Sequence, residues 1–173
     1  MPYSENAPER KNGRKKRMSD IAMKFDEGKF RMRGVGIIIR DGKVLMVHDE
    51  LRKYYYAIGG AVRLGETTEE AAVREVYEES GLRVEPERLA LVQENRFILD
   101  GELHHEVSFY DLMKDIGDQK TGERVLDYAA EGLVWMDIAT LEEHKVFPRI
   151  YSTLLKELPD GIVHSMEDER EGK

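Results

Sequence analysis

Three glutamates at helical spacing are the residues of this sequence best suited to chemistry. Glu75, Glu78 and Glu79 occupy positions i, i+3 and i+4, so on a helix their carboxylates fall within about 100° of arc. Two unit charges about 4 Å apart repel by roughly 4 kcal/mol at an effective dielectric of 20, and this repulsion needs an offset. Arg74 can pair with one carboxylate, and Mg²⁺ or Mn²⁺, which prefer oxygen ligands, can neutralise the others. The alternative is a solvent-exposed acidic helix face.

The helix that must position these glutamates has both of its ends marked in the sequence. Thr67 followed by Glu70 is a capping box, in which each side chain accepts a hydrogen bond from the other residue's backbone amide. Gly81 stands where a left-handed residue would end the helix. Gly60, upstream of the helix, allows close approach of the backbone, and its carbonyl can join a metal site. The pattern therefore predicts one helix over Thr67–Ser80 beside a glycine loop.

Composition limits what kind of protein surrounds this helix. The chain has 173 residues, of which 40% are hydrophobic, and a net charge of −8. This size and hydrophobic content fit a single folded domain. The acidic balance argues against a protein that mainly grips nucleic-acid phosphates. The chain has no cysteine, which excludes disulfides, cysteine-ligated zinc and thiol nucleophiles.

Charge is distributed unevenly along the chain. Residues 1–17 carry six basic and two acidic side chains, a net of +4, so the rest carries −12. We interpret 1–17 as a disordered basic tail, the alternative being a nucleic-acid-binding arm. Residues 18–165 are expected to form one domain, and 166–173 a polar tail that frays. Apolar runs are too short for a membrane span, so we expect a cytoplasmic protein with no membrane partner.

The remaining elements read as strands mixed with helices. Asp41-Gly42 and Asp100-Gly101 separate apolar runs and predict two β-hairpins. A C-terminal helix is predicted over Pro148–Leu158, with proline in its first turn and apolar residues at helical spacing. Hairpins interspersed with helices predict an α/β fold in which a mixed sheet has helices on its faces.

The stretch Gly60–Leu82 resembles the Nudix box of the Nudix hydrolase family. That signature reads Gly, five residues, Glu, seven residues, Arg-Glu, an aliphatic, any residue, Glu-Glu, any residue, Gly and an aliphatic, and every defined position is filled here. A chance match is on the order of 10⁻⁸ per starting point, which favours the metal-site interpretation over an exposed acidic face. The chain is similar to small bacterial Nudix proteins from about Arg33 to His164. The fold implied is an α/β/α sandwich around a mixed β-sheet.

The resemblance assigns roles to positions of the box. Glu78 and Glu79 match the main metal ligands, Glu75 matches a further ligand, and the carbonyl of Gly60 matches another. Arg74 matches an arginine that orients the carboxylates. Glu66 matches a supporting residue, and Gly81 matches the helix stop. Glu79 is the first candidate for the catalytic base.

Residues outside the box complete the expected site. In several family members a loop glutamate acts as the base, and Glu131 is the best candidate here, with Glu123 second. Tyr56, within Tyr54–Tyr56, is a candidate for stacking on a nucleobase. Arg52 and Arg96 are candidates for substrate phosphates. Glu106 shares a strand face with His104 and is a candidate for the cleft beside the box.

The reaction implied is Mg²⁺-dependent hydrolysis of a diphosphate linkage in a nucleoside di- or triphosphate derivative, with Mn²⁺ as an alternative cofactor. Downstream signatures of several subfamilies are absent, so the nucleotide stays open. Two other classes are carried: a catalytically silent nucleotide-sensing domain of the same fold, and a protein directed at nucleic acid through residues 1–17. The intact box and the acidic body favour the enzyme, with a small-molecule substrate, no stable nucleic-acid partner and, by family analogy, a homodimer.

Overall fold

The computed structural model describes residues 18–117 and 131–170, with Glu131 described by its backbone alone. The basic head at 1–17, Glu123 and residues 171–173 lie outside this part of the chain. The described strands are β1 Ala22–Phe25, β2 Gly28–Arg40, β3 Lys43–Asp49, β4 Tyr54–Ala57, β5 Gly59–Ala61, β6 Val84–Leu99, β7 Glu102–Asp115, β8 Glu131–Asp137, β9 Val146–Phe147 and β10 Val163–Glu169. The helices are α1 Thr68–Ser80, a 3₁₀ helix at Ile138–Glu143 and α2 Tyr151–Leu154.

Two tight turns place the long strands side by side. Asp41 and Gly42 have φ angles of 50° and 74°, and Asp100 and Gly101 have 52° and 82°. Positive φ at both central residues matches the right-handed twist of the flanking strands, as in type I′ turns. The antiparallel pairs β2–β3 and β6–β7 follow from these turns, so the two predicted hairpins are confirmed.

The strands form one mixed, curled sheet in the order β10-β6-β7-β2-β3-β4-β9. β2 runs parallel to β7 over its length, while its other edge pairs with β1, β5 and β3 in turn. This arrangement brings the loop that follows β5 next to the centre of the sheet. The predicted mixed sheet is therefore confirmed, and β2 is the strand on which the candidate site is built.

Alternating apolar residues give the sheet a buried core on each face. One cluster lies under α1, and the other lies under the 3₁₀ helix and α2. Ile37 and Ile38, adjacent on β2, belong to opposite clusters, as period-two alternation requires. Helices thus cover both faces of the sheet, which confirms the α/β/α sandwich, although the second helical layer is thin.

The predicted C-terminal helix is much shorter than expected. Helical spacing predicts Pro148–Leu158, whereas α2 spans only Tyr151–Leu154. The hydroxyls of Ser152 and Thr153 donate to the carbonyls of Arg149 and Ile150 at 2.9 and 3.1 Å, and such local bonds compete with a regular helix. The apolar residues still pack on the sheet, since Tyr151, Leu154 and Leu155 are buried.

The predicted polar tail from Met166 is also wrong for its first residues. Val163–Glu169 forms β10, which pairs parallel to β6 in register from Val163↔Leu91 to Glu169↔Phe97. Exposure alternates along the strand, but its inward positions include Glu167 and Glu169, so hydropathy gave no strand signal. Main-chain pairing with β6 forms this strand.

Across the described residues, no helix has the length and apolar character that a membrane crossing requires.

Candidate active site

The helix that carries the glutamates has the ends that the sequence predicts. The Glu70 amide donates to the Thr67 hydroxyl at 3.1 Å, and the Thr67 amide donates to the Glu70 carboxylate at 2.8 Å. Gly81 ends the helix in the left-handed region with φ of 75°, and its amide donates to the Tyr77 carbonyl at 2.9 Å. The capping box and the helix stop are therefore confirmed.

Two glycines let the helix and its preceding loop lie close to the sheet and to each other. A Cβ on Gly34 of β2 would overlap the carbonyl oxygen of Thr68 in the first turn of α1. A Cβ on Gly60 would overlap the carboxyl group of Glu75. The Gly60 backbone therefore lies directly against a glutamate of the helix, as a shared metal site requires.

Arg74 is the centre of the carboxylate cluster. Its guanidinium donates two hydrogen bonds to Glu66, at 2.8 and 2.9 Å, and one to the Ala61 carbonyl at 3.0 Å. It also forms ion pairs with Glu75 and, at 3.3 Å, with Glu78. The pairing of Arg74 with carboxylates is confirmed, and one cation partly offsets the repulsion among three of them.

Glu66 ties the loop to the helix. Besides its two bonds from Arg74, it accepts the backbone amide of Arg63 at 2.9 Å. The hydrogen bonds from Arg74 are the main reason that the pKa of Glu66 falls to about 2. Glu66 is therefore ionised at neutral pH and committed to holding the loop, which supports the non-catalytic role expected for it.

The donor set of the cluster suits a hard divalent cation. It consists of the carboxylates of Glu75, Glu78 and Glu79 and the carbonyl of Gly60, all of them oxygens. Glu75 and Glu79 are half-buried, whereas the side chain of Glu78 is 48% exposed. Among the residues that the structure describes, no three His, Asp or Glu side chains converge into a metal-binding group. Arg74 instead lies between Glu75 and Glu78, and the assignment of metal ligands stays a prediction.

A cavity of about 680 Å³ opens over the β6–β7–β2 part of the sheet. Aromatic side chains and several positively charged side chains line it. Its lining includes Arg31, Arg33, Asp49, Arg52, Tyr54, Tyr56, Gln93, Asn95, Phe97, Glu106, Ser108, Tyr110, Lys145 and Phe147. Its size and mixed lining are typical of a small-molecule site.

Glu106 and two arginines form the charged side of this cavity. Glu106 is 3% exposed, and it accepts hydrogen bonds from Arg31 at 2.7 Å and from Arg33 at 3.4 Å. Burial raises the pKa of Glu106, but the positive charges of Arg33 and Arg31 lower it by more, so the pKa falls below its usual value. Glu106 is therefore an ionised, buried carboxylate shared by two guanidinium groups.

Arg33 connects the cavity to the box. Its Nη2 donates to the Gly59 carbonyl at 2.8 Å, one residue before Gly60. Burial lowers the pKa of Arg33, and nearby negative charges, chiefly that of Glu106 and also that of Glu79, more than offset that effect, so the pKa rises. A charged guanidinium that lines the cavity thus also interacts electrostatically with Glu79 of the box.

The three adjacent tyrosines point to alternate sides of β4. Tyr54 and Tyr56 line the cavity, while Tyr55 stacks on His48 with ring centroids 4.4 Å apart. This alternation is the one that strand geometry predicts. Tyr54 and Tyr56 therefore share the cavity side of the strand, and the base contact of Tyr56 stays a prediction.

The two arginines predicted to bind phosphate have different locations. Arg52 lines the cavity, where its guanidinium bonds to Asp49 at 3.0 Å and to Asp100 at 2.9 Å. Arg96 is not part of the cavity lining and instead pairs with Asp168 of β10 at 3.2 Å. Alternate residues of β6 face opposite sides, so Asn95 enters the cavity and Arg96 does not.

The two glutamates predicted as alternative catalytic bases outside the box lie at or beyond the limit of the described residues. Glu131 begins β8, and its backbone pairs with Asp49 of β3, a cavity residue. Glu123 falls outside the described residues. Both stay predictions, behind Glu79 as the first candidate.

Several cavity residues were missed by sequence reasoning. They are Arg31, Arg33, Gln93, Asn95, Ser108, Lys145 and Phe147. One signal was available on β7, where the polar Glu106 and Ser108 alternate with the apolar Val107 and Phe109. A polar period-two pattern on a central strand indicates a solvent or ligand cavity rather than a packed core.

Comparisons with known proteins agree with this fold. A family model of the NUDIX domain matches residues 30–157. The chain therefore belongs to the Nudix hydrolase family, as the box predicts. A curated relative, the uncharacterized Nudix hydrolase YvcI of Bacillus subtilis (strain 168), is 28% identical over 112 residues, which are 65% of this chain and 69% of that protein.

Solved structures show the same fold at low sequence identity. A MutT protein from Bacillus halodurans superposes with a TM-score of 0.58 at 17% identity, covering 79% of this chain and 89% of that one. A NUDIX-family hydrolase from Clostridium perfringens gives 0.54 at 18% identity, covering 74% and 95%. These similarities confirm the curled mixed sheet with helices.

Proposed function

We propose that this Nudix protein hydrolyses a diphosphate linkage in a nucleoside di- or triphosphate derivative. The observation that carries the proposal is a pair of charged clusters linked by Arg33. In the box, carboxylates surround Arg74. In the cavity, arginines surround Glu106, and one of them, Arg33, also donates to the Gly59 carbonyl at the start of the box strand. The first cluster has excess negative charge and suits a cation. The second has excess positive charge and suits phosphate.

Gly60, Glu75, Glu78 and Glu79 are proposed to hold the divalent cation, with Mg²⁺ favoured and Mn²⁺ as the alternative. Such an ion, when bound, neutralises phosphate charge and lowers the pKa of a coordinated water. Arg74 orients Glu75 and Glu78, and Glu66 fixes Arg74 in turn. Glu79 is proposed to take the proton of the attacking water. Glu131 stays a second candidate for that step.

Substrate binding is proposed for the cavity, with Tyr56 at the base and Arg52 and Arg33 at the phosphates. Arg96 is left out of this set because it lies outside the cavity lining. The net charge of −12 outside residues 1–17 disfavours a nucleic-acid substrate. A cytoplasmic location and a homodimer are kept as proposals.

A substrate panel tests the proposed reaction. Nucleoside triphosphates, oxidised guanine nucleotides, nucleotide sugars, ADP-ribose and dinucleoside polyphosphates are incubated with Mg²⁺, with Mn²⁺ and with EDTA, and phosphate or pyrophosphate release is measured. We expect turnover of at least one nucleotide that EDTA abolishes. Binding without turnover of any substrate would favour the nucleotide-sensing alternative.

Removal of residues 1–17 tests the nucleic-acid alternative. Those residues carry the net +4 charge, so a truncated chain that keeps full kcat/KM on nucleotides argues against a role for them. Loss of activity that appears only on RNA or DNA ends would instead support it.

A further inference from the structure

The floor of the cavity is a polar patch on two paired strands. Gln93 and Asn95 of β6 lie opposite Ser108 and Glu106 of β7, respectively. All four side chains line the cavity, although strands at the centre of a sheet usually bury apolar residues. This patch needs a reason other than packing.

Gln93 presents a hydrogen-bond donor that nothing in the described chain uses. The side chain is 2% exposed, and its Oε1 accepts the Tyr110 hydroxyl at 2.9 Å. Its Nε2 is buried and has no partner among the described residues. Burial is the main reason that the pKa of Tyr110 is raised, and the hydroxyl also accepts a hydrogen bond from Ser108. The neutral Tyr110 therefore fixes the amide with its NH₂ group available.

Asn95 presents the complementary group two residues further along the same strand. Its Oδ1 is buried and lacks a hydrogen-bond partner among the described residues. Alternate residues of a strand are about 6.6 Å apart and point to the same face. A donor and an acceptor are thus offered side by side, whereas the large majority of buried polar atoms in native proteins have a hydrogen-bond partner.

Aromatic rings line the same cavity as this polar pair. Tyr54 and Phe147 are in edge-to-face contact with centroids 5.3 Å apart, and Tyr54 and Tyr56 are 6.0 Å apart. Rings of this kind bind the face of a planar heterocycle, and polar groups bind its edge. A nucleobase has both a flat face and an edge that carries donors and acceptors.

We propose that Gln93 and Asn95 are the residues that read the base of the substrate, Gln93 Nε2 donating to a ring or carbonyl acceptor and Asn95 Oδ1 accepting a base N–H. This assignment rests on the proposed function, because it places the base against Gln93 and Asn95 of β6 and the phosphates near Arg33 of β2. It makes the preferred substrates nucleoside derivatives, and base-free sugar diphosphates or inorganic polyphosphates poor substrates.

Calorimetric binding in the presence of EDTA tests this assignment without hydrolysis. The probes are AMP, GMP, CMP and UMP, with ribose 5-phosphate as the base-free reference. We expect at least one monophosphate to bind roughly tenfold to hundredfold more tightly than ribose 5-phosphate, since a lost buried hydrogen bond has an effect of this size. Equal affinity for all five probes would overturn the proposal.

Two variants and a control locate the effect. Gln93→Met and Asn95→Leu keep side-chain volume while removing the polar groups, and each should abolish most of the preference over ribose 5-phosphate. Glu94→Gln changes the opposite face of the same strand, where Glu94 bonds to His164, and should leave the preference unchanged. If Gln93→Met fails to fold, Asn95→Leu, which is less buried, carries the test. An unchanged preference in a folded variant overturns the role of that residue.

Failure of this inference is distinguishable from failure of the proposed reaction. A chain that binds nucleoside monophosphates through Gln93 but turns over no substrate with Mg²⁺ would retain the base site and lose the hydrolase. A chain that hydrolyses nucleotides and base-free triphosphate with equal kcat/KM would retain the hydrolase and lose the base site.

Discussion

The box and the cavity balance their charges in opposite ways. In the box, one guanidinium, that of Arg74, is shared by Glu66, Glu75 and Glu78. In the cavity, one carboxylate, that of Glu106, is shared by Arg31 and Arg33. Each cluster keeps an excess of the sign that attracts its proposed ligand, a cation for the box and a phosphate for the cavity.

The two regions also differ in how far along the chain their partners lie. Arg74 and Glu66 are eight residues apart, whereas Arg31 and Glu106 are 75 residues apart. A motif search can find the first arrangement, because short-range geometry is fixed by one loop and one helix. The second exists only after β2 and β7 pair.

The largest expected effect is in the box. Glu79→Gln should lower kcat by roughly a hundredfold or more with little change in KM, because it removes the proposed proton acceptor and metal ligand. Steady-state kinetics with Mg²⁺ measures this. Glu87→Gln, at an exposed position of β6, is the control and should behave as wild type. Near-normal turnover in the Glu79 variant would move the base outside the box, with Glu131 as the next candidate.

In the cavity, the largest expected effect is on the free energy of unfolding. Glu106→Gln leaves Arg31 and Arg33 facing a neutral amide in a buried site, and we expect a loss of about 3 kcal/mol in the free energy of unfolding, measured in urea. Glu102→Gln, on the same strand, removes pairs to Lys24 and Lys29 at 3.4 and 3.5 Å. Those pairs are more exposed and should contribute less than about 1 kcal/mol. Equal effects would show that burial does not separate the two sites.

A pH-dependent effect on the free energy of unfolding is expected from Asp111, which lies beneath α1. Burial, with a smaller contribution from Glu69, raises the pKa of Asp111 from 3.8 to about 6, and Asp111 Oδ2 has no hydrogen-bond partner among the described residues. Since the folded-state pKa is the higher one, ionisation of Asp111 destabilises the protein above about pH 6, and this penalty vanishes as the pH falls toward 4.

Asp111→Asn should therefore raise the free energy of unfolding by about 2 kcal/mol at pH 8, with the gain shrinking toward pH 4. Urea titrations of both proteins across this range measure the difference. A difference that stays constant with pH would show that Asp111 titrates normally.

The smallest effect is expected at the cap of the box helix. Thr67→Ala removes the side-chain acceptor for the Glu70 amide and should lower the free energy of unfolding by about 1 kcal/mol. Thr68→Ala, one residue further on, changes no cap and should shift stability by less than about 0.5 kcal/mol. A larger loss in the Thr68 variant would mean that packing, rather than capping, sets the helix start.

The fold class and the box could be predicted because their signals are local. Asp-Gly turns, the Thr67–Glu70 cap and Gly81 each act within a few residues, and all are confirmed. The predicted length of the C-terminal helix and the predicted fraying of the tail were wrong because their local signals are weak. Val163–Glu169 becomes a strand only by pairing with β6, at a separation of about 70 residues.

The sequence by itself determined the family, the helix and the set of candidate metal ligands, since these depend on residue spacing along one loop and one helix. The tertiary structure decided which side chains share the cavity. It brought Arg33, Gln93 and Glu106 together from three strands and separated Arg96 from them. Strand alternation and register decide such groupings, and a shift of one residue in either would exchange every side chain between the cavity and the opposite face.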